Sequence, residues 1–290
     1  MKSARDRLPS PSPPVEAHRH AAFLESPVAR PLRILAEYLE PLSRLEQARV
    51  EDTVVFFGSS RIISPERARQ ELTQLQRSRA RGKGEAQLRR AMKKKVELSH
   101  YYAEARELAG LLTAWAMKFG PNPHRFVVCS GGGPGIMEAA NRGAQDAGGV
   151  SVGLNITLPT EQPANPYITD ELHFLFHYFF MRKLWFAQIA KALIVFPGGF
   201  GTLDELGEML TLTQTQKLDR RIPILIYGTR YWKTVLRLDS LLRWGMISPG
   251  DSQSVWFADT PRQAFRIIRR ELERHHLHRP GLSAMLPGGS

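Results

Sequence analysis

Short continuous apolar runs alternate with longer amphipathic segments along this chain. The runs cover residues 53–57, 126–129, 173–176, 192–196, 222–227 and 255–257, and residues 150–156 give a further strand in which apolar residues alternate with polar or small ones. Uninterrupted apolar runs of this length are typical of strands that are buried on both faces, and the segments between them have the period of helices. The pattern therefore predicts an α/β fold with a doubly wound parallel sheet and flanking helices.

Helices are predicted over residues 31–48, 136–147, 178–190, 231–243 and 261–276, and a further helix opens at Thr202. Residues 64–112 are helical by composition, with breaks at Gly82 and Gly84. Proline-rich residues 1–26 predict a disordered tail, and residues 277–290 predict a second tail. We expect one domain over residues 27–276, with a basic helical insertion at residues 64–98.

Composition limits the function classes. The chain has 290 residues, of which 42% are hydrophobic, which suits one substantial core. No segment approaches the ~20 apolar residues of a membrane helix, and residues 1–30 lack the apolar centre of a secretory signal. We therefore expect a soluble, cytoplasmic protein without a membrane partner.

The net charge of +12 is concentrated in residues 66–95, which contain eleven Arg and Lys residues against three Glu residues. Proteins that bind single-stranded nucleic acids combine positive charges with aromatic side chains on which the bases stack. No aromatic residues are interleaved with these charges. A solvated pair of basic helices is favoured over a polyanion-binding or partner-binding insertion. Nucleic acid is not an expected partner.

The cysteine and histidine residues give no metal signature. Cys129 is the single cysteine and lies in an apolar run, so a structural thiol is predicted. His173 and His177 flank an apolar run without an acidic or cysteine partner at ligand spacing, which favours core or site-wall positions. His275, His276 and His278 are predicted to be solvated.

Three loops follow predicted strands and contain small residues. Pro197–Gly201 lies between an apolar run and a helix, an arrangement that presents backbone N–H groups and a positive helix terminus to a phosphate. Gly131–Gly135 repeats this arrangement after residues 126–129, and Gly58–Ser60 follows residues 53–57. Ser59 either contacts a ligand or caps the next helix, two interpretations of equal weight. In a parallel sheet these loops share one edge.

The chain lacks the G-x-S-x-G, G-x-x-x-x-G-K-[ST] and H-E-x-x-H motifs of serine hydrolases, nucleoside triphosphatases and zinc proteases. What remains is a glycine loop for a phosphate, the carboxylate of Glu205 and the cationic pair Arg182 and Lys183. A carboxylate beside a phosphate site suits cleavage at a sugar carbon, where positive charge develops.

These residues resemble the Lonely Guy (LOG) family, cytokinin riboside 5'-monophosphate phosphoribohydrolases once described as lysine decarboxylases. The resemblance rests on the PGGxGTxxE signature at residues 197–205, on SGGGPGIMEAANRGA at 130–144 and on FHYFFMRK at 176–183. It implies a single Rossmann-like domain in which Arg182 and Glu205 are catalytic. It also implies substrate contacts from Lys183, Gly198, Gly199, Phe200, Gly201, Thr202, Leu203 and Asp204. Further candidate substrate contacts are Gly132, Gly133, Ser59 and Glu161.

The resemblance implies an N-glycosidase that releases the base and ribose 5-phosphate from AMP or an N6-modified AMP, without cofactor or metal, and a homodimer or larger assembly. Plant-type members have the order M-H-x-R-K in this segment, whereas this chain has Phe180 and Met181 before Arg182. The order found here resembles that of a longer bacterial branch of the family. This difference leaves the base preference open. The alternative is a non-catalytic module that binds a nucleotide or molybdenum cofactor. A decarboxylase would need a pyridoxal-binding lysine, which no motif specifies.

Overall fold

Seven parallel strands form one sheet in the order β4-β3-β2-β1-β5-β6-β7. The structure is a computed structural model, and it describes residues 14–77, 85–120, 124–159, 163–218 and 221–277. The strands are β1 Thr53–Phe57, β2 Val127–Ser130, β3 Ser151–Ile156, β4 His173–Phe176, β5 Ala190–Val195, β6 Ile224–Tyr227 and β7 Val255–Ala258. The predicted doubly wound sheet is confirmed, as are all seven predicted strands.

The order of the strands reverses between β1 and β5, the two central strands. From β1 the chain proceeds through β2, β3 and β4 to one side, and then returns to the other side with β5, β6 and β7. Ligands of open parallel sheets bind at the carboxyl ends of the strands where this reversal occurs. The loops after β1, β2 and β5 are the three small-residue loops of the sequence, so they meet at this crevice.

Helices cover both faces of the sheet. One layer contains α2 Arg30–Gln47, α7 Phe179–Ile189, α8 Phe200–Gln214 and α9 Thr229–Val235, and the other contains α5 His100–Ala116, α6 Ile136–Asp146 and α11 Pro261–His275. The remaining helices are α1 Ala21–Glu25, α3 Pro65–Arg77, α4 Glu85–Leu98 and α10 Leu238–Arg243. Successive residues of β1 and β5 enter opposite layers, which explains their continuous burial.

Three differences from the prediction involve helices. Residues 21–25 form α1 within the stretch that was predicted to be disordered. The predicted helix over residues 231–243 is two helices, α9 and α10, because Leu236 adopts an extended conformation with φ −124° and ψ 113°. Helix α8 begins at Phe200, two residues before Thr202. Gly82 and Gly84, the predicted breaks in the insertion, lie outside the described residues.

The described residues contain no cluster of three or more metal-ligating side chains. Cys129 is fully buried in β2, as expected for a structural thiol. The prediction for His276 was wrong, because its ring is buried and its Nε2 lies 2.7 Å from the Arg221 carbonyl oxygen. His278 lies outside the described residues. No helix within the described ranges has the length and apolar character that crossing a bilayer requires.

Candidate active site

The loop between β5 and α8 is held from both sides. The Ser59 N–H donates to the Pro197 carbonyl at 3.0 Å, and the Tyr231 hydroxyl donates to the Gly198 carbonyl at 2.6 Å. A methyl group on Gly198 would overlap the Thr202 side chain, so only glycine allows the loop to turn this closely. The fixed loop leaves the first-turn N–H groups of α8 facing the crevice, where they can bind an anion.

Backbone groups of the loop between β2 and α6 are hydrogen-bonded within the protein. The Gly132 N–H donates to Ser130 Oγ at 3.0 Å, and its carbonyl accepts from the Asn165 N–H at 2.9 Å. The Asn165 side-chain amide donates to the Gly133 carbonyl at 3.1 Å. Gly132 has φ +69°, and a Cβ there would overlap the Asn155 side-chain oxygen. Sequence reasoning missed both asparagines, because no motif marks them.

Ser59 belongs to the third loop, after β1. Its hydroxyl accepts from the Arg61 N–H at 3.1 Å, whereas α3 begins only at Pro65. Ser64 Oγ accepts the first-turn N–H of Arg67 at 3.3 Å. The interpretation of Ser59 as a helix cap was therefore wrong, since Ser64 has that role. The Ser59 carbonyl also accepts from the Ile136 N–H at 3.1 Å, which ties this loop to the start of α6.

Arg182 and Glu205 form a largely buried ion pair across the crevice. Arg182 Nη2 lies 3.1 Å from Glu205 Oε1, and their side chains are 11% and 14% exposed. The guanidinium also lies over the rings of Phe179 and Phe186, at 5.4 and 5.7 Å from their centres. A methyl group on Gly131 would lie 3.8 Å from Arg182 Nη1, so the β2 loop borders this pair.

Burial dominates the electrostatics of the pair. It raises the pKa of the Glu205 carboxyl to about 7, against the attraction of Arg182. Asp204 adds to the increase and Lys183 opposes it. Burial likewise lowers the pKa of the Arg182 guanidinium, which Glu205 opposes. Because a guanidinium remains protonated in proteins, the carboxyl is the member of the pair that titrates near neutral pH.

Lys183 and Asp204 form a second, more exposed ion pair beside the first. Lys183 Nζ lies 2.7 Å from the Asp204 carboxylate and 3.6 Å from Glu208 Oε2. Burial lowers the pKa of the Lys183 ammonium, but hydrogen bonding to Asp204 and the charge of Glu208 outweigh it, so the net pKa lies above its ordinary value. The lysine is therefore a fixed cation at the rim of the crevice.

The structure brings most of the predicted residues to one place. Arg182, Lys183 and residues 198–205 surround the start of α8, and Ser59 lies beside them through its contact with Pro197. Gly132 and Gly133 lie in the neighbouring β2 loop. Glu161 lies outside the described residues. Backbone N–H donors, a fixed cation and a buried carboxylate suit a ligand that has a phosphate at one end and a reacting centre nearby.

Residues 137–268 match the family model described as possible lysine decarboxylase. A probable cytokinin riboside 5'-monophosphate phosphoribohydrolase from Arabidopsis thaliana is 27% identical over 149 residues, which are 51% of this chain and 74% of that protein. A pyrimidine/purine nucleotide 5'-monophosphate nucleosidase from Escherichia coli is 31% identical over 112 residues, 36% of this chain and 24% of its own length.

Among solved structures, the molybdenum cofactor binding protein from Rippkaea orientalis aligns over 59% of this chain and 86% of its own, with 20% identity and a TM-score of 0.41. The family match includes both ion pairs and begins directly after the β2 loop. The predicted resemblance to cytokinin riboside 5'-monophosphate phosphoribohydrolases is thus confirmed for this part of the chain.

Proposed function

We propose that this chain hydrolyses the N-glycosidic bond of a purine nucleoside 5'-monophosphate, AMP or an N6-modified AMP, to the free base and ribose 5-phosphate. The observation that carries the proposal is the buried Arg182–Glu205 pair, whose glutamate lies about one turn inside α8, the helix whose N-terminus suits a phosphate. The named activities of the plant and bacterial relatives support the same reaction class.

The substrate phosphate binds at the start of α8. The glycine loop lets the phosphate approach the backbone closely, and the first-turn N–H groups donate to its oxygens. Lys183 adds a positive charge at the rim of the crevice. Binding energy from this remote group positions the sugar for reaction.

Glu205 faces the anomeric carbon of the bound sugar. When the C1'–N bond breaks, its electron pair leaves with the base, which takes up a proton, and positive charge develops on the sugar. An ionised carboxylate in a dry crevice stabilises that charge more than it stabilises the uncharged sugar of the ground state. Water then adds to C1' and loses one proton, which balances the proton taken up by the base, to give ribose 5-phosphate. Arg182 orients the carboxylate and opposes its protonation.

Amino-acid decarboxylation, which the name of the family model suggests, does not fit the lysine of this crevice. A pyridoxal-binding lysine must lose its proton to attack an aldehyde. The Asp204 and Glu208 carboxylates instead hold the Lys183 amine protonated. Its role is better explained as a charge that attracts a phosphate.

The second candidate is a module that binds a nucleotide or the molybdenum cofactor without turning it over. Such a module would need the glycine loops but would gain nothing from a buried carboxylate aimed at the sugar. Burying an ion pair costs free energy of desolvation, so retention of both Arg182 and Glu205 favours the enzyme.

We also propose that the protein is cytoplasmic and acts as a homodimer or larger homo-oligomer. Large apolar side chains are exposed beside the crevice, and Phe200 at the start of α8 is 92% exposed. Phe179, Phe180 and Leu184 extend this apolar surface along α7. A second copy of the chain would remove these side chains from water.

Incubation of the purified protein with AMP, followed by chromatography for adenine and ribose 5-phosphate, tests the reaction. Isopentenyl-AMP and the other nucleoside 5'-monophosphates are run in parallel to determine the base preference. The two products should appear in equal amounts. Binding of AMP without release of any base from this set would favour the binding module instead.

A further inference from the structure

Helix α7, which carries Arg182, has no cap of its own. Its N-cap residue, Tyr178, makes no side-chain hydrogen bond to the first turn. A helix start leaves backbone N–H groups without partners inside the helix, and an acceptor from elsewhere can bind them. The acceptor here comes from a distant part of the chain.

Glu37 of α2 supplies it. One carboxylate oxygen accepts the His177 N–H at 2.6 Å, and the other accepts the Tyr178 N–H at 3.2 Å. The negative charge also lies at the positive end of the α7 dipole, which adds to the attraction. One side chain from α2 thus fixes the two peptide groups that lead into α7.

The same residue holds the next turn of α7 through its backbone. The Trp185 indole N–H donates to the Glu37 carbonyl oxygen at 2.9 Å, and the Trp185 side chain is fully buried. The Tyr38 ring packs against that indole with the ring centres 5.7 Å apart. Arg182 lies between these two contacts, and its own N–H donates to the Tyr178 carbonyl at 3.2 Å.

We propose that Glu37 is a positioning residue, which holds the first turn of α7 so that the Arg182 guanidinium meets Glu205. The inference rests on the proposed function, since it acts through the Arg182–Glu205 pair. Glu37 itself does not touch the crevice. Its carboxylate binds the two backbone N–H groups before α7, whereas Arg182 reaches Glu205 from the side of that first turn.

The test compares Glu37→Ala and Glu37→Gln with Glu46→Ala, which removes an exposed carboxylate from the last turn of the same helix. Because small displacements of catalytic groups cost up to ~100-fold in rate, we expect kcat to fall by about 10- to 100-fold in the Ala variant. Gln retains one acceptor and should give an intermediate loss. The KM for AMP should change little, because the phosphate binds at α8. The control should match the wild type.

A readout that does not depend on turnover is the titration of the Glu205 carboxyl, followed by carbon-13 NMR. The charged groups that face it are Arg182 and Lys183 from α7 and Asp204 and Glu208 from α8. If α7 shifts and Arg182 moves away, the strongest attraction on the carboxylate is lost. The pKa of Glu205 should then rise above its wild-type value in Glu37→Ala, and the ascending limb of kcat/KM against pH should shift to higher pH with it.

Thermal melting of each variant separates positioning from a general loss of stability, because a merely less stable but folded enzyme retains the wild-type titration of Glu205. An unchanged pKa of Glu205 in folded Glu37→Gln and Glu37→Ala overturns the inference, as does an unchanged kcat. If the wild type releases no base, the proposed function fails, and the NMR titration alone still decides whether Glu37 positions Arg182.

Discussion

Glu205→Gln removes one negative charge from the candidate site and leaves the size of the side chain almost unchanged. If the ionised carboxylate stabilises positive charge on the sugar, its loss should appear in kcat. Removing one preorganised electrostatic group typically costs about 100- to 1000-fold in rate. We expect kcat to fall by at least ~100-fold, at the lower end of that range.

The structure also sets the pH dependence of the wild-type enzyme. Burial raises the pKa of Glu205 to about 7, so the carboxyl is half ionised at neutral pH. The ionised fraction increases with pH, and kcat/KM, which reports the free enzyme, should therefore rise through about pH 7 to a plateau. At pH 5, two units below this pKa, about 1% of the carboxyl is ionised, so kcat/KM should be ~100-fold below the plateau. The Gln variant should lack this limb.

Binding of AMP should survive the substitution. Glu205 lies one turn from the phosphate cradle, and a carboxylate at that distance repels a phosphate. Removing its charge should leave the Kd for AMP unchanged or lower, as measured by titration calorimetry. Turnover is measured as adenine release from pH 5 to pH 9.

The matched control is Glu273→Gln, the same change on α11, which belongs to the layer on the opposite face of the sheet. It should retain the wild-type kcat and pH profile. If Glu205 merely favoured the first turn of α8 through the helix dipole, its removal would cost about 0.3–1 kcal/mol of stability and leave turnover almost unaffected. A stable Glu205→Gln variant with full activity would refute the catalytic assignment.

Three further predictions follow from the loops, the insertion and the exposed apolar surface. Gly198→Ala should raise the Kd for AMP at least ~10-fold, because its methyl group would overlap Thr202, whereas Gly207→Ala meets no atom within 4 Å and should bind normally. Replacing residues 70–94 by a short linker should preserve the melting temperature and adenine release, since none of the residues described in that range is buried; lost activity would mean that the insertion builds the site. Light scattering should give at least twice the 32.8 kDa chain mass, and a monomer at micromolar concentration would contradict the proposed assembly.

The sheet could be predicted because strands that are buried on both faces have recognisable apolar sequences. Strands β1 and β6 are buried throughout and have almost wholly apolar sequences, and β5, which is also buried throughout, departs from this pattern at Lys191. The shared position of the three small-residue loops could be predicted from parallel pairing alone, since all parallel strands end at the same edge of the sheet. The break between α9 and α10 could not be predicted, because Leu236 and Arg237 provide neither Gly nor Pro as a signal.

The parts of the site that were missed depend on contacts between distant segments. Glu37 and His177 are 140 residues apart, and nothing near either residue in the sequence indicates that they meet. The same holds for Tyr231, whose hydroxyl binds the Gly198 carbonyl across 33 residues. His276 follows three polar residues and was predicted to be solvated, yet tertiary packing buries it against Arg221. Motifs identify the groups that react, whereas the groups that hold them depend on the fold.

The order of charges in the two motifs explains why one ion pair is buried and the other is exposed. Arg182 and Lys183 are consecutive on α7, and Asp204 and Glu205 are consecutive on α8, so neighbours project about 100° apart around each helix. Arg182 and Glu205 face inward, while Lys183 and Asp204 face the rim, where the aspartate side chain is 57% exposed. Burial dominates the pKa of Glu205, whereas attraction to carboxylates prevails for Lys183. The inner pair is thus suited to changes in charge during a reaction, and the outer lysine to holding a phosphate.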